Sequence, residues 1–215
     1  MSLTLYYHPL SSFCMKALIA LYETGVPFQA QIVNLMDEAE RANLAALWPM
    51  AKFPVLRDEA RGVTVPESTI IIEYLAQHYP GETRLIPADP DDARTVRLHD
   101  RLFDLHVHMQ MQKVVGDRLR PEGQTDPFGV EQAKTQMRAA LGIVETGIAG
   151  KTWAMGEAFT MADCAAAPSL FYAGKVMPFG QTHPRASAYL GRLMARPSFA
   201  RVLAEAEPYF KMFPG

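Results

Sequence analysis

The sequence predicts a small α/β domain followed by an all-α domain, and three observations support this division. Over residues 1–80, short strand-like and helix-like segments follow one another in the order β-α-β-α-β-β-α, which suits a small mixed sheet carrying helices. Beyond about Asp91 every periodic segment has helical spacing. Between them, the segment PGETRLIPADPDD holds three prolines and has the composition of a linker. We therefore predict domains over residues 1–80 and 91–215, joined by a linker over residues 81–90.

The first domain begins with a strand that Pro9 breaks, because proline cannot donate to a sheet ladder. A helix follows and stops at Gly25-Val26-Pro27. The predicted elements are a strand over residues 3–7, a helix over 13–23, a strand over 28–33, a helix over 38–47, two short strands in KFPVLRD and GVTVPES, and a helix in STIIIEYLAQHY that Ser68 opens.

The second domain is predicted to contain five helices, over residues 91–118, 127–147, 160–173, 183–195 and 198–207. On the first of these, two faces differ in character. The apolar face is expected in the core, and the polar-aromatic face is expected to meet solvent, a substrate pocket or a dimer cleft. The apolar face carries Leu98, Leu102, Leu105 and Met109, and the other carries His99, Phe103, His106, Gln110 and Lys113.

Composition excludes several classes of protein. The formal net charge is −2 with scattered Lys and Arg, which argues against a nucleic-acid surface. No apolar run approaches the ~20 residues of a membrane span, and the N-terminus lacks the layout of a signal peptide. Two cysteines cannot make a disulfide framework, so we expect a cytoplasmic protein.

No metal site is expected in the long helix, despite its histidines. His106 and His108 are two residues apart, so a helix points them to different faces. No set of Cys or carboxylate partners follows them at the spacing of a zinc site.

Three motifs stand out. Phe53-Pro54 in MAKFPVL enters a strand, where a proline needs an edge position or a special backbone geometry. Glu67-Ser68 in VPESTIII precedes a helix, so Ser68 is either an ordinary N-cap or part of an anion site at the helix start. Thr160 and Asp163 form a capping box variant, which makes Asp163 a folding residue and not a catalytic carboxylate.

The layout and these motifs, together with RPSFARVL near the C-terminus, resemble the glutathione transferase superfamily over nearly the whole chain. The resemblance implies a thioredoxin-like N-terminal domain and an all-α C-terminal domain. It implies that Pro54 is cis, that Phe53 binds the cysteinyl unit of glutathione through its main chain, and that Lys52 reaches the glycine carboxylate. Glu67 and Ser68 would hold the two charged ends of the γ-glutamyl unit. Glutathione is then the co-substrate, without a metal.

The turn Ser11-Ser12-Phe13-Cys14 is the predicted catalytic site, because thioredoxin-like proteins place their redox pair at the start of this helix. A serine cannot form a mixed disulfide, but its O–H can donate to the thiolate of bound glutathione. We rank Ser11 first and Ser12 second, and we keep the strand tyrosines, Tyr6 and Tyr7, as weaker candidates. Cys14 is either a small buried helix residue or a thiol of lowered pKa that forms a disulfide with glutathione.

The expected function is conjugation of glutathione to small electrophiles. Two alternatives stay open: a glutathione-dependent reductase, peroxidase or isomerase that uses Cys14 or Ser11, and a glutathione-binding ligandin or interaction protein with little turnover. The resemblance assigns Phe13, His106, Gln110 and Lys113 to the second-substrate pocket. It also implies a homodimer in which Met50, four residues before Pro54, inserts into the partner subunit.

Overall fold

The computed structural model describes residues 2–214, which form two compact units. The first unit consists of the described chain up to Ile86 together with Ser198–Phe210. The second consists of Pro87–Pro197 and the described residues from Lys211 onward. The boundaries expected at residues 80 and 91 treat each domain as one continuous stretch, and they stay a prediction.

The first unit is built on a four-stranded mixed sheet in the order β2-β1-β3-β4. Strands β1 and β2 are parallel, and the other two pairings are antiparallel. The fold class expected from the sequence is therefore confirmed. Its elements are β1 (Leu3–Tyr7), α1 (Ser12–Thr24), β2 (Phe28–Ile32), α2 (Glu38–Leu47), β3 (Val55–Asp58), β4 (Val63–Pro66) and α3 (Ser68–His78).

The core of this unit follows from two periodicities. In β1 every second residue, Leu3, Leu5 and Tyr7, is buried, as the two-residue period of a strand requires. Helix α1 is apolar nearly all round, and it packs against α3. The buried Lys16 of α1 donates from Nζ to the Thr69 hydroxyl at 2.8 Å, which gives its ammonium group a hydrogen-bond partner inside the unit.

The second unit is helical in its described residues, apart from one isolated β-bridge between Trp153 and Gly156. The predicted 91–118 helix is continuous but contains a π-helical segment, which marks a local change of register. The elements are α4 (Pro90–Arg101), the π-helical segment (Leu102–His108), α5 (Met109–Arg118), α6 (Pro127–Gly147), α7 (Met161–Val176) and α8 (Pro184–Ala195). Helix α9 (Pro197–Ala206) and a 3₁₀ segment (Glu207–Met212) follow in the chain, and their residues from Ser198 to Phe210 belong to the first unit.

The expectation that the apolar face of this long helix forms the core is wrong. Leu98, Leu105 and Met109 are 66%, 46% and 41% exposed, and Leu102 is half-buried. The buried face instead combines apolar residues with two carboxylates, Asp100 and Asp104. Arg101 lies 2.7 Å from each carboxylate, so ion pairing allows these charged residues to be buried where a purely apolar pattern was expected.

Helix α7 begins at a capping box formed by Thr160 and Asp163. Asp163 is fully buried and accepts hydrogen bonds from the backbone N–H groups of Ala154 and Thr160, both at 2.8 Å. The Tyr189 hydroxyl of α8 donates a further bond to it at 2.6 Å. Burial raises the pKa of Asp163, and these hydrogen bonds oppose the shift. Asp163 thus joins three segments of the second unit.

Within residues 2–214, none of the helices combines the length and the apolar character that a membrane crossing requires.

Candidate functional site

The register of the sheet brings three sequence motifs to the same end of the first unit. Tyr6 in β1 pairs with Val55 in β3, and Val55 pairs with Pro66 in β4. The turn after β1, the Phe53-Pro54 peptide before β3 and the Glu67-Ser68 pair after β4 therefore all lie just beyond this row of paired residues. Segments that are up to about 60 residues apart in sequence form one candidate site because β1 and β4 run opposite to β3.

Ser11 is the N-cap of α1. Its backbone is extended, and its Oγ accepts a hydrogen bond from the Cys14 N–H at 3.3 Å. A serine hydroxyl has two acceptor lone pairs and one donor, so it can accept from the Cys14 N–H and donate as well, and its side chain also hydrogen-bonds the Cys14 thiol. Ser11 is half-buried, and its hydroxyl stands at the positive end of the helix dipole.

Ser12 and Cys14 are much less accessible than Ser11. Ser12 is the first residue of α1 and is only 4% exposed, while Cys14 is completely buried. Burial raises the pKa of Cys14 to about 12, although hydrogen bonds from Ser11 and from the His8 backbone oppose the shift. A cysteine in this state carries a negligible fraction of thiolate at neutral pH. Neither of the described cysteines, Cys14 and Cys164, forms a disulfide, and both are buried.

His8 contacts the turn and two neighbouring aromatic rings, and the sequence did not suggest these contacts. Its backbone N–H points at the Cys14 sulfur at 3.5 Å, and its carbonyl accepts from the Ser11 N–H at 3.0 Å. Its ring lies against Phe53 with centroids 5.9 Å apart, and against Tyr209 at 5.5 Å. Burial lowers the pKa of His8, which favours the neutral imidazole.

The Phe53–Pro54 peptide bond is cis, as the resemblance implies. Pro54 is buried, Phe53 is half-buried, and the preceding Lys52 is exposed with its charge open to solvent. Met50 lies in the turn after α2 and is 59% exposed.

The start of α3 differs from the expectation that Ser68 is its N-cap. The N-cap position belongs to Glu67, whose side chain makes no capping hydrogen bond, and Ser68 is the first residue of the helix. Glu67 has φ 72° and ψ 122°, a conformation that residues with a Cβ rarely adopt. The Glu67 side chain is exposed, whereas Ser68 is only 4% exposed. The backbone N–H groups in the first turn of a helix suit an anion.

The four residues assigned to a second-substrate pocket have different environments. In the first unit, Phe13 is half-buried on the first turn of α1. In the second unit, His106 is exposed, whereas Gln110 is 6% exposed and donates to the Leu105 carbonyl at 3.2 Å. Lys113 donates to the Gln110 side chain at 3.0 Å. Gln110 and Lys113 are thus joined, and their assignment to the pocket stays a prediction.

Two residues of the candidate site, His8 and Tyr209, were missed by the sequence reasoning. His8 precedes a proline and resembles an ordinary strand-end residue, and no local pattern connects it with Phe53. Tyr209 is about 200 residues away from the turn in sequence and reaches it because Ser198–Phe210 belongs to the first unit. Among residues 2–214, no group of three His, Cys, Asp or Glu side chains has the arrangement of a metal site.

Comparison with known proteins agrees with this geometry. The profile "Glutathione S-transferase, N-terminal domain" matches residues 5–83, and "Glutathione S-transferase, C-terminal domain" matches residues 127–192. A solved glutathione S-transferase from Methylobacillus flagellatus with glutathione bound has a TM-score of 0.86 and 26% identity, covering 94% of this chain and 98% of its own.

Two curated relatives cover nearly the full chain. A stringent starvation protein A homolog of Coxiella burnetii is 27% identical, with 99% of this chain and 97% of the relative aligned. Glutathione S-transferase 3 of Zea mays is 30% identical over 210 residues, which are 94% of this chain and 93% of the relative. Both domain profiles match, and one relative reaches 30% identity over nearly its full length. The sheet also brings the cis proline, the Glu-Ser pair and the capped turn to one end. The chain therefore belongs to the glutathione S-transferase family.

Proposed function

We propose that this protein activates the thiol of glutathione at the first turn of α1 and transfers the thiolate to small electrophiles. The observation that carries the proposal is the Ser11 hydroxyl, which accepts from Cys14 N–H and lies half-buried at the positive end of the α1 dipole. Ser11 is the more accessible of the two serines in this turn, since Ser12 is only 4% exposed.

The energetics of thiol activation suit one hydroxyl and one helix start. A free thiol with a pKa of about 8.5 is only a few per cent ionised at neutral pH. Lowering this pKa by about two units requires roughly 2.7 kcal/mol. A hydrogen bond to a charged group contributes roughly 1.5–3 kcal/mol, and a helix N-terminus contributes roughly 0.3–1 kcal/mol. The two together reach the required amount.

In the proposed reaction, Ser11 donates its hydroxyl proton in a hydrogen bond to the glutathione sulfur. The thiol proton is released to solvent, and the sulfur lone pair forms a bond to an electrophilic carbon. When that carbon carries a halide, the carbon–halogen bond breaks and halide leaves with the bonding pair. Ser11 keeps its own proton throughout, so it acts as an electrostatic stabiliser and not as a base.

Glutathione is proposed to bind along the end of the sheet. The main chain of Phe53, before cis Pro54, would hold the cysteinyl unit, and Lys52 would pair with the glycine carboxylate. The N–H groups at the start of α3, together with Ser68, would hold the γ-glutamyl carboxylate, and Glu67 would pair with its ammonium group. Phe53, Lys52 and Glu67 are partly or fully exposed, so these groups can reach a ligand.

A second candidate is a binding protein with little turnover. The specific observation in its favour is that the relatives include stringent starvation protein A homologs, whose names state no transferase activity. It predicts retention on immobilised glutathione without conjugation of any electrophile in a broad panel. A disulfide reaction at Cys14 is disfavoured, because the thiol is fully buried and burial raises its pKa to about 12.

We also propose a homodimer in which Met50 inserts into the partner subunit. The support is that this apolar side chain is 59% exposed in the single chain, just before the glutathione-binding segment.

The proposal is tested by comparing Ser11→Ala, Ser12→Ala and Cys14→Ala with the parent protein in conjugation of an aryl halide. We expect Ser11→Ala to lower kcat/KM about 10- to 100-fold, the value of a hydrogen bond to a charged group. Ser12→Ala and Cys14→Ala are expected to conjugate normally. A larger loss of kcat/KM in Ser12→Ala than in Ser11→Ala would mean that Ser12 donates to the glutathione sulfur. Normal activity in all three would remove the hydroxyl mechanism.

A further inference from the structure

We infer that His8 is a positioning residue that holds the Ser11 turn and Phe53 in a fixed mutual arrangement. The inference rests on the proposed function, because it assigns His8 a role toward the two segments that would activate and bind glutathione. Its basis is that one side chain contacts the turn through its ring nitrogen and Phe53 through its ring face.

The first contact is the ring nitrogen. His8 Nδ1 accepts a hydrogen bond from the Leu10 N–H at 3.3 Å, and the His8 carbonyl accepts from the Ser11 N–H at 3.0 Å. Two successive N–H groups before α1 therefore bond to the same residue. Together they hold Ser11 in the extended conformation of an N-cap, with φ −73° and ψ 118°, which sets the direction of its Oγ.

The second contact is the ring face. The imidazole stacks on Phe53 with 21° between the planes, and the ring of Tyr209 meets it at 75° from another side. Aromatic rings at these separations attract one another and resist sliding. Movement of Phe53 therefore displaces His8. Because Phe53 immediately precedes Pro54, its ring position is tied to the backbone groups proposed to bind the cysteinyl unit.

These two contacts can be separated by substitution. His8→Phe retains an aromatic ring between Phe53 and Tyr209 but has no nitrogen to accept from Leu10. His8→Asn loses the ring, yet its side-chain oxygen can accept from the N–H two residues later, as in an Asx turn. If His8 positions both segments, the two variants must fail in different steps of the reaction.

The measurements are kcat with an aryl halide, the dissociation constant of glutathione by calorimetry, and the thiol pKa of bound glutathione from thiolate absorbance. We expect His8→Phe to lower kcat about fivefold to tenfold and to raise the bound thiol pKa, with glutathione affinity unchanged, because one orienting hydrogen bond is lost. We expect His8→Asn to weaken glutathione binding about fivefold while the bound thiol pKa stays the same.

His78→Phe and His78→Asn are matched controls, because His78 is exposed on α3 and contacts only Tyr74 among the described rings. They should change none of these quantities. Tyr209→Leu removes the ring on the other side of His8 without touching the turn, and it should weaken glutathione binding as His8→Asn does. This variant keeps the test decisive if a His8 variant does not fold.

Equal losses in the same quantity for His8→Phe and His8→Asn would overturn the inference, and so would unchanged values in both. In either case the proposed function stands if the parent protein binds glutathione and conjugates the halide. A parent protein that does not bind glutathione would instead remove the proposed function, and the inference with it.

Discussion

Glu67 holds a backbone conformation that is unfavourable for any residue with a Cβ, at φ 72° and ψ 122°. Two neighbouring constraints impose it. Pro66 on one side pairs with Val55 in the sheet, and on the other side the Glu67 carbonyl accepts the Ile71 N–H at 2.8 Å as α3 begins. A residue in such a region typically carries about 1–3 kcal/mol of conformational strain, which favourable contacts in the surrounding structure offset. The strain is located where the γ-glutamyl unit is proposed to bind.

Replacing Glu67 should separate stability from binding. Glycine adopts this conformation without the Cβ clash, so Glu67→Gly should unfold with a free energy about 1 kcal/mol higher than Glu67→Ala. Both variants lack the carboxylate and should bind glutathione equally weakly. Chemical denaturation and calorimetry measure the two quantities. Equal stability of the two variants would mean that the backbone is not strained there. An unchanged affinity for glutathione would contradict the pairing of Glu67 with the glutathione ammonium group.

At the scale of the elements, the start of α7 depends on a single carboxylate. Asp163 accepts from two backbone N–H groups and from the hydroxyls of Thr160 and Tyr189, all within a buried environment. Removing it leaves several buried donors without a partner, and each such donor is unfavourable by about 1–3 kcal/mol.

We therefore expect Asp163→Ala to lower the free energy of unfolding by about 3 kcal/mol or more, and to impair folding before chemistry. Asp89→Ala is the control, because Asp89 caps α4 at an exposed position by accepting from Asp91 and Asp92 N–H groups. Its loss should lower the free energy by only about 1 kcal/mol. Thermal and urea unfolding compare the two. Normal stability of Asp163→Ala with lost activity would contradict the folding role.

Local signals explain which elements the sequence predicted well. The bounds of β1, α2 and α6 agree with the prediction, because Pro9 follows the first, Asp37 caps the second and Asp126-Pro127 opens the third. The prediction of the buried face of the 91–118 helix was wrong, because apolar spacing alone does not show which face of a helix packs against a neighbour. The π-helical segment and the pairing of Arg101 with two buried carboxylates depend on tertiary contacts.

The candidate site shows the same limit. Motif spacing indicated the turn, the proline and the Glu-Ser pair, since each has a local signature. It did not indicate His8 or Tyr209, which acquire their positions through the sheet register and the return of the C-terminal segment. It also placed the N-cap of α3 one residue late, because the strained Glu67 backbone has no sequence signature.

At the scale of the whole molecule, the proposed homodimer makes a prediction about Met50. If this side chain is buried in the partner, Met50→Glu replaces a favourable apolar contact of about 1.5–3 kcal/mol with a buried charge. The dimer dissociation constant should rise at least tenfold. Analytical ultracentrifugation or light scattering at micromolar concentration measures it.

Met36→Glu is the matched control, because Met36 lies in the same unit and is 91% exposed. It should leave the dimer intact. A parent protein that is monomeric at micromolar concentration would contradict the proposed homodimer. A dimer that Met50→Glu leaves intact would contradict the contact assigned to Met50.

The C-terminal segment has a consequence for how the polypeptide is made. Ser198 donates to Glu23, Tyr22 donates to Glu205, and Tyr209 packs on His8, all within the first unit. On a ribosome, the sheet and α1 emerge early, but these partners appear only after the whole of Pro87–Pro197 has been translated. A nascent chain therefore lacks the ring that contacts His8 until Ser198–Phe210 has been translated, and premature termination shortly before Ser198 would remove that ring.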